Sequence, residues 1–256
     1  MTYRYNGNKS EGVSAYFQSG TEDLPMDKLQ SFWRLRSAGT QWFIEPDLIG
    51  NAHLAPSAST IAWAASNPSG GALGSADFSG GSAYWKTPGN SSDYAAENRS
   101  KKWWLGVWFY PKTGSNNEVI AARSSASSNG WQLCTDATTD GLALYGNTGS
   151  WPGTSDAAIT SNSVNFDEWN FGLVGHDGTD LFASLNGGTI ATSTYGITAA
   201  TGTTYGFSFG SWLYSGRELS GYIADVSYWV DVSANATAAE VAALYNGGSG
   251  NTLRGF

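Results

Sequence analysis

The stretch WNFGLVGHDGTDLFASLNGGTI, from Trp169 to Ile190, leaves this chain few ways to fold. Two short apolar runs, around Phe171–Val174 and Leu181–Leu185, are separated by Asp177-Gly178 and closed by Asn186-Gly187. Runs this short, with turn dipeptides at their ends, predict an antiparallel hairpin whose turns need positive φ. A lone hairpin is only marginally stable in water, so further strands must share its apolar face. The rest of the chain supplies them in LQSFWRLR (29–36), GSADFSGGSAYWKTP, KKWWLGVWFYPKT (101–113), NEVIAARSS, GWQLCTD, GLALYGN, YGFSFGSW (205–212) and ELSGYIADVSYWV (218–230). EPDLIGNAHL (45–54) is expected to be a turn, and Pro111, with no N–H to give a ladder, is expected to close its strand. Helical spacing occurs at the C-terminal end, in TAAEVAALY. There Thr237 and Glu240 form a capping box, Val241, Leu244 and Tyr245 an apolar face, and Gly247-Gly248 a stop. The expected fold class is therefore all-β: an antiparallel two-sheet sandwich with one short C-terminal helix. Residues 1–27, polar and glycine-containing, read as an extended arm, and residues 28–256 as one domain.

Composition narrows the function. Charged residues are 13% of the chain, about half the roughly 25% of an ordinary soluble domain, so Ser, Thr, Asn and Gly must cover much of the surface. A net charge of −8 argues against a nucleic-acid partner, which needs a basic stripe. Cys134 has no second cysteine to pair with, and in WQLCTD it reads as a buried thiol. No run of 18 apolar residues occurs, so no membrane-spanning helix is expected. The opening MTYRYNGNKSEG has no apolar run after its charges and does not read as a secretory signal.

The order of these segments carries a resemblance. FWRL with Asp47 and GN…HL, then GSADFSGGSAYW, WWLGVWFYPKT, NFDEWNFGLVGHDGTDLFASLNG and GYIADVSYWVDVSANATAAEVAALYNGG resemble the laminin-G-like, concanavalin-A-like lectin and glucanase jelly roll, a fold also found in bacteriophage structural proteins. The resemblance spans about Leu29 to Gly248. It implies two sheets packed face to face, with Trp169, Leu173 and Leu185 as inward-facing core. It also implies a structural calcium near the first strand, for which Asp47, Asn51 and Asp225 are the candidate ligands. Alternatively Arg36 pairs with Asp47 or Asp225 and replaces the ion by a salt bridge.

Candidate chemistry divides three ways. The family's glucanases set two carboxylates on one strand, and no such run occurs here: Pro25 interrupts Glu22, Asp23 and Asp27, while Asp167 and Glu168 are adjacent. His53 and His176 lie in turn-like sequence without a nucleophile elbow, so no catalytic residue is assigned and a polysaccharide hydrolase is disfavoured. Sugar binding needs aromatic faces beside polar groups. Two loops offer them: Tyr145, Asn147, Trp151 and Asp156 in one, Trp212, Tyr214 and Arg217 in the other. The reading is a non-enzymatic virion-surface accessory or decoration protein of head, fibre or tail, tied to neighbouring virion proteins through residues 1–27 and adhering weakly to surface polysaccharide. A free extracellular lectin is the alternative.

Overall fold

The computed structural model describes residues 24–35, 45, 47–50, 52–57, 61–68, 74–79, 84–87, 102–112, 117–125, 129–148, 157–194, 206–211, 217–233 and 235–248. Among them are fifteen strands: β1 (Leu29–Trp33), β2 (Ala55–Pro56), β3 (Ala62–Ala64), β4 (Ser75–Asp77), β5 (Trp85–Lys86), β6 (Trp103–Pro111), β7 (Val119–Ser125), β8 (Asn129–Thr135), β9 (Gly141–Thr148), β10 (Ala157–Ser163), β11 (Asn170–His176), β12 (Leu181–Leu185), β13 (Ala191–Ser193), β14 (Ser208–Phe209) and β15 (Gly221–Val230). One sheet has the order β13-β12-β11-β6-β15-β4-β3, with β1 also paired to β15. The other runs β10-β9-β8-β7-β14-β5-β2. Their ladders are antiparallel, and the fold is the all-β two-sheet sandwich that the alternation predicts.

Between the sheets lies an aromatic core that includes Trp33, Trp85, Trp103, Trp131, Phe207, Phe209 and Tyr228. Trp103 stacks on Trp131 at 5.0 Å, and Phe207 meets Tyr228 edge-on at 4.8 Å. A second apolar layer lies on the far side of the first sheet. Phe32, Trp104, Trp108, Phe171, Leu173, Phe182 and Trp229 gather there against Val241 and Leu244 of the helix α1 (Ala238–Tyr245). Both faces of this sheet are therefore dry in the middle, which is why β6 is buried from Trp103 to Phe109 and β11 throughout.

That second layer corrects part of the expected core. Leu185 does lie between the sheets, but Leu173 belongs to the outer layer and Trp169 packs against the same layer, partly exposed. Strand alternation separates two sets of side chains without saying which set faces the other sheet, and here a helix makes both sets apolar.

The turns are largely as read. Asn186 and Gly187 take φ of 53° and 73°. At the other turn Gly178 takes φ 98°, whereas Asp177 is held by its side chain. Its Oδ1 accepts the N–H groups of Thr179 and Asp180 at 2.8 and 2.7 Å. The capping box forms: Glu240 N–H donates to Thr237 Oγ1, and Thr237 N–H to Glu240 Oε2 at 2.7 Å. It starts α1 at the point from which Tyr245 reaches Trp108, stacking at 5.9 Å. Of the arm, Leu24 is buried on the outer layer and Met26–Lys28 form a 3-10 turn, so packing begins before residue 28; positions 1–23 lie outside the described residues.

Candidate functional site

Beyond the reach of Tyr245, the outer face of the first sheet continues as a row of larger side chains. Register places Tyr222 of β15 opposite Asp77 of β4 on one side and Tyr110 of β6 on the other. Asn170 pairs with Phe109, so Trp169 comes next to Tyr110. The three rings form a triangle: Tyr110 to Tyr222 at 5.1 Å, Tyr110 edge-on to Trp169 at 5.7 Å, and Trp169 to Tyr222 at 6.4 Å. All three are partly exposed, unlike Trp108 and Phe171 one step along the same face, which Tyr245 covers.

Polar groups rim this triangle. Trp169 Nε1 donates to Ser66 Oγ at 3.0 Å, and Asp77 Oδ1 accepts Ser79 N–H at 2.8 Å. Lys112 Nζ donates to Ser79 Oγ at 2.6 Å and lies 4.8 Å above the Tyr222 ring, a cation–π contact. Partial burial first, and the charge of Asp167 second, push the Tyr110 hydroxyl above its ordinary value. Asp167 and Glu168 are exposed on the turn that leads into Trp169.

That turn is fixed from below by Asn170, which is fully buried. Its Nδ2 donates to the carbonyls of Asn165 and Glu168 at 2.7 and 3.0 Å, and its Oδ1 accepts Asn165 N–H and Asn186 Nδ2. Every hydrogen-bonding capacity of the amide is used inside the protein, so Trp169 is held by structure rather than by loop chance. The sequence reading missed this site. Its signal was faint: three aromatics at or near strand ends, Tyr110 before Pro111, Trp169 after Glu168 and Tyr222 after Gly221, separated by more than fifty residues.

The expected loop site is only partly placed. Trp151, Asp156, Trp212 and Tyr214 lie outside the described residues. Asn147 lies in β9 opposite Gly130. Tyr145 is on the outer face of the second sheet, 9% exposed among Val119, Ala122, Cys134 and Ala143. Its hydroxyl donates to Asp136 Oδ1 at 2.7 Å, and Arg217 contributes a small opposing charge effect there. Burial, then the bond to Asp136, raise the Tyr145 hydroxyl. Burial opposes ionisation of Asp136, but bonds from Tyr145, Thr139 and Thr138 outweigh it and hold the carboxyl below its usual range. A lowered carboxyl contributes stability above its unfolded value and loses it as pH falls through the folded value. Tyr145→Phe is therefore expected to destabilise by about 1.5–3 kcal/mol at neutral pH, the range for a bond to a charged acceptor. The gap should close as Asp136 protonates in acid, which denaturant melts at pH 7 and below pH 4 would check. Were Tyr145 a ligand contact alone, the melts would coincide. Cys134, in the same layer, is a buried free thiol pushed up to about 12, chiefly by burial.

Asp47 is 5% exposed and accepts four backbone N–H groups: Phe32, Ile49 and Gly50 on Oδ1 at 3.1, 3.0 and 2.9 Å, and Ala52 on Oδ2 at 3.1 Å. Positive ends of N–H dipoles thus fill the space where calcium would need carbonyl oxygens. Asp225 is also buried, in a bulge of β15 at φ 47°, and its N–H donates to Arg34 O. Asn51 and Arg36 lie outside the described residues, among which no three acidic, histidine or cysteine groups come together to hold a metal. Among the described residues the donor set does not fit the ion. His53 Nδ1 accepts Asp47 N–H, and buried His176 Nδ1 accepts Gly178 N–H; both imidazoles support turns.

No family model matches the sequence, and no curated protein matches it either. Several solved structures resemble its fold. Domain 4 of AbnA, a GH43 extracellular arabinanase from Geobacillus stearothermophilus solved in complex with arabinotriose, superposes with a TM-score of 0.64 at 15% identity, over 85% of this chain and 98% of that domain. A mutant of Trypanosoma rangeli sialidase displaying trans-sialidase activity gives 0.61 at 13% identity, over 90% of this chain but only 35% of the sialidase. The binding domain of botulinum neurotoxin DC, in complex with rat synaptotagmin II, gives 0.55 at 13% identity over 87% of this chain and 52% of that one. At such identities the likeness is one of fold: these proteins and this chain share the antiparallel β-sandwich.

Proposed function

We propose that the chain is a non-enzymatic carbohydrate-binding module that stacks sugar rings on Tyr110, Trp169 and Tyr222. The observation that carries this reading is the aromatic triangle itself, partly exposed on a rigid sheet and rimmed by hydroxyl, carboxylate and ammonium groups. Pyranose C–H faces pack on aromatic rings, and the rim supplies donors and acceptors for sugar hydroxyls. A glycan-active setting for two of the fold neighbours, the arabinanase domain and the sialidase, is in keeping with it. Binding without turnover is in keeping with the described part of the rim, where Asp167 and Glu168 sit side by side on an exposed turn.

Trp169→Ala is expected to weaken glycan binding by roughly 1–3 kcal/mol, about 5- to 150-fold, in a protein that stays folded but melts somewhat lower for the lost packing and Ser66 bond. A glycan array followed by calorimetry on the wild type and this variant is the measurement. Unchanged affinity would move the site to the Trp151 and Trp212 loops. Release of reducing sugar that vanishes with a single carboxylate variant would make the protein a hydrolase.

A virion-surface accessory remains the proposed setting, with a free lectin as its alternative. The sandwich serves either one, and what would tie it to a shell is the arm at residues 1–27.

A further inference from the structure

The charge around the aromatic triangle has mostly one sign. Asp77 is in register with Tyr222, and Asp167 and Glu168 are exposed beside Trp169. Burial and then Asp167 raise the Tyr110 hydroxyl, with Lys112 acting against them and Glu168 adding a smaller push. Lys112 is the cation at this rim among the described residues; its ammonium donates to Ser79 Oγ and lies over the Tyr222 ring. The whole chain, at −8, adds to the same field.

Resting on the carbohydrate reading above, we infer that this site takes an uncharged sugar ring through pairs of hydroxyls given to its carboxylates, and turns away sugars that carry a carboxylate or sulfate. The physical reason is an asymmetry. A carboxylate accepts strong, charge-assisted bonds from hydroxyl donors, so Asp77, Asp167 and Glu168 favour vicinal hydroxyls. An acidic sugar brings a further anion to a rim that holds, among the described residues, three carboxylates against the single ammonium of Lys112, and like charges brought together across a binding face cost affinity. The ring centroids stand 5.1 to 6.4 Å apart, so the three rings pack on one another into one compact platform.

The test is calorimetry on paired probes: neutral gluco-, galacto- and arabino-oligosaccharides beside galacturonic-acid oligomers and a sialylated lactose, at low and at 0.5 M salt. The wild type should bind at least one neutral probe about tenfold more tightly than every acidic probe. The double variant Asp167→Asn with Glu168→Gln, both on the exposed turn, should keep the wild-type melting temperature. It should also raise affinity for the acidic probes roughly 3- to 10-fold. Salt should narrow the gap between the two classes, because it screens exposed charges. Acidic probes that bind the wild type as well as neutral ones, and lose that binding in Trp169→Ala, would overturn the charge selectivity while leaving the carbohydrate site standing. If no probe binds, or binding ignores Trp169→Ala, the carbohydrate reading of this face fails and takes the inference with it.

Discussion

Asp47→Ala should cost about 3 kcal/mol or more of folding stability, the loss of a buried charged acceptor that satisfies several donors at once. Its carboxylate gathers N–H groups from both sides of the 45–54 turn: Phe32 on β1, then Ile49, Gly50 and Ala52. Around it the same turn is latched by Leu48 N–H to Phe32 O, by the Glu45–Leu54 pair of backbone bonds and by Trp33 Nε1 to Ala52 O at 2.7 Å. Alanine would leave four donors facing a gap with no acceptor. Gly50 belongs to the same design, because a Cβ there would come within 2.6 Å of Asp47 Oδ2 and 2.7 Å of Gln30 O. Asp47→Asn separates charge from shape. Its Oδ1 keeps three of the bonds while its amide meets the Ala52 N–H, so a smaller loss of about 1–2 kcal/mol is expected. Urea unfolding with calcium and again with chelator reads both points. Equal midpoints in the two conditions, with the alanine variant far below the wild type, fit a carboxylate working for the backbone. A wild-type midpoint that climbs with calcium, and an alanine variant that no longer responds, would restore the ion.

How much of this was legible in the sequence depends on the range of each interaction. The helix was readable down to its cap because Thr237 and Glu240 are three residues apart and satisfy each other's N–H groups. The 45–54 turn and the Asn186-Gly187 turn were readable for the same reason: their chemistry is local. Leu173 and Trp169 were misplaced because alternation gives two faces without labels, and the label depends on α1, some seventy residues further on. The aromatic triangle was invisible because no short window contains it. Tyr110, Trp169 and Tyr222 come from the ends of separate segments and meet only through the register of β6 with β11 and β15. Loops rich in tryptophan drew attention instead, since composition can be read locally and register cannot. Tyr145 was singled out on that ground, and its hydroxyl turns out to be spent on Asp136, inside the fold.

The second large effect belongs to the inner core, on the other face of the first sheet from the proposed sugar site. Phe207→Ala should destabilise by about 3–5 kcal/mol, the range for deleting a large buried ring. Phe207 is the hub of the inner core: its ring lies 5.8 Å from Trp33, 5.7 Å from Trp131, 6.0 Å from Phe209 and 4.8 Å from Tyr228, with the Arg123 guanidinium 5.7 Å away. The site has little freedom to collapse. Phe207 N–H is held by Thr87 Oγ1 at 2.8 Å, its carbonyl accepts Thr87 N–H at 3.0 Å, and a Cβ on neighbouring Gly206 would run into Thr87. With the backbone pinned and the surrounding rings stiff, most of the removed volume stays as a cavity, which puts the cost at the upper part of that range. Phe207→Leu fills much of it and should cost less than half as much. Denaturant melts measure both, and a loss under about 1 kcal/mol for the alanine variant would mean that the sandwich closes over the gap. The same variant also sharpens the binding experiment. Phe207 lies between the sheets and the Tyr110 triangle on the outer face, so at a temperature where Phe207→Ala is still folded its glycan affinity should equal the wild type's. Trp169→Ala should do the reverse, losing affinity at a much smaller cost in stability than Phe207→Ala. Two aromatic sets that respond in opposite ways would establish that one holds the fold and the other holds the ligand.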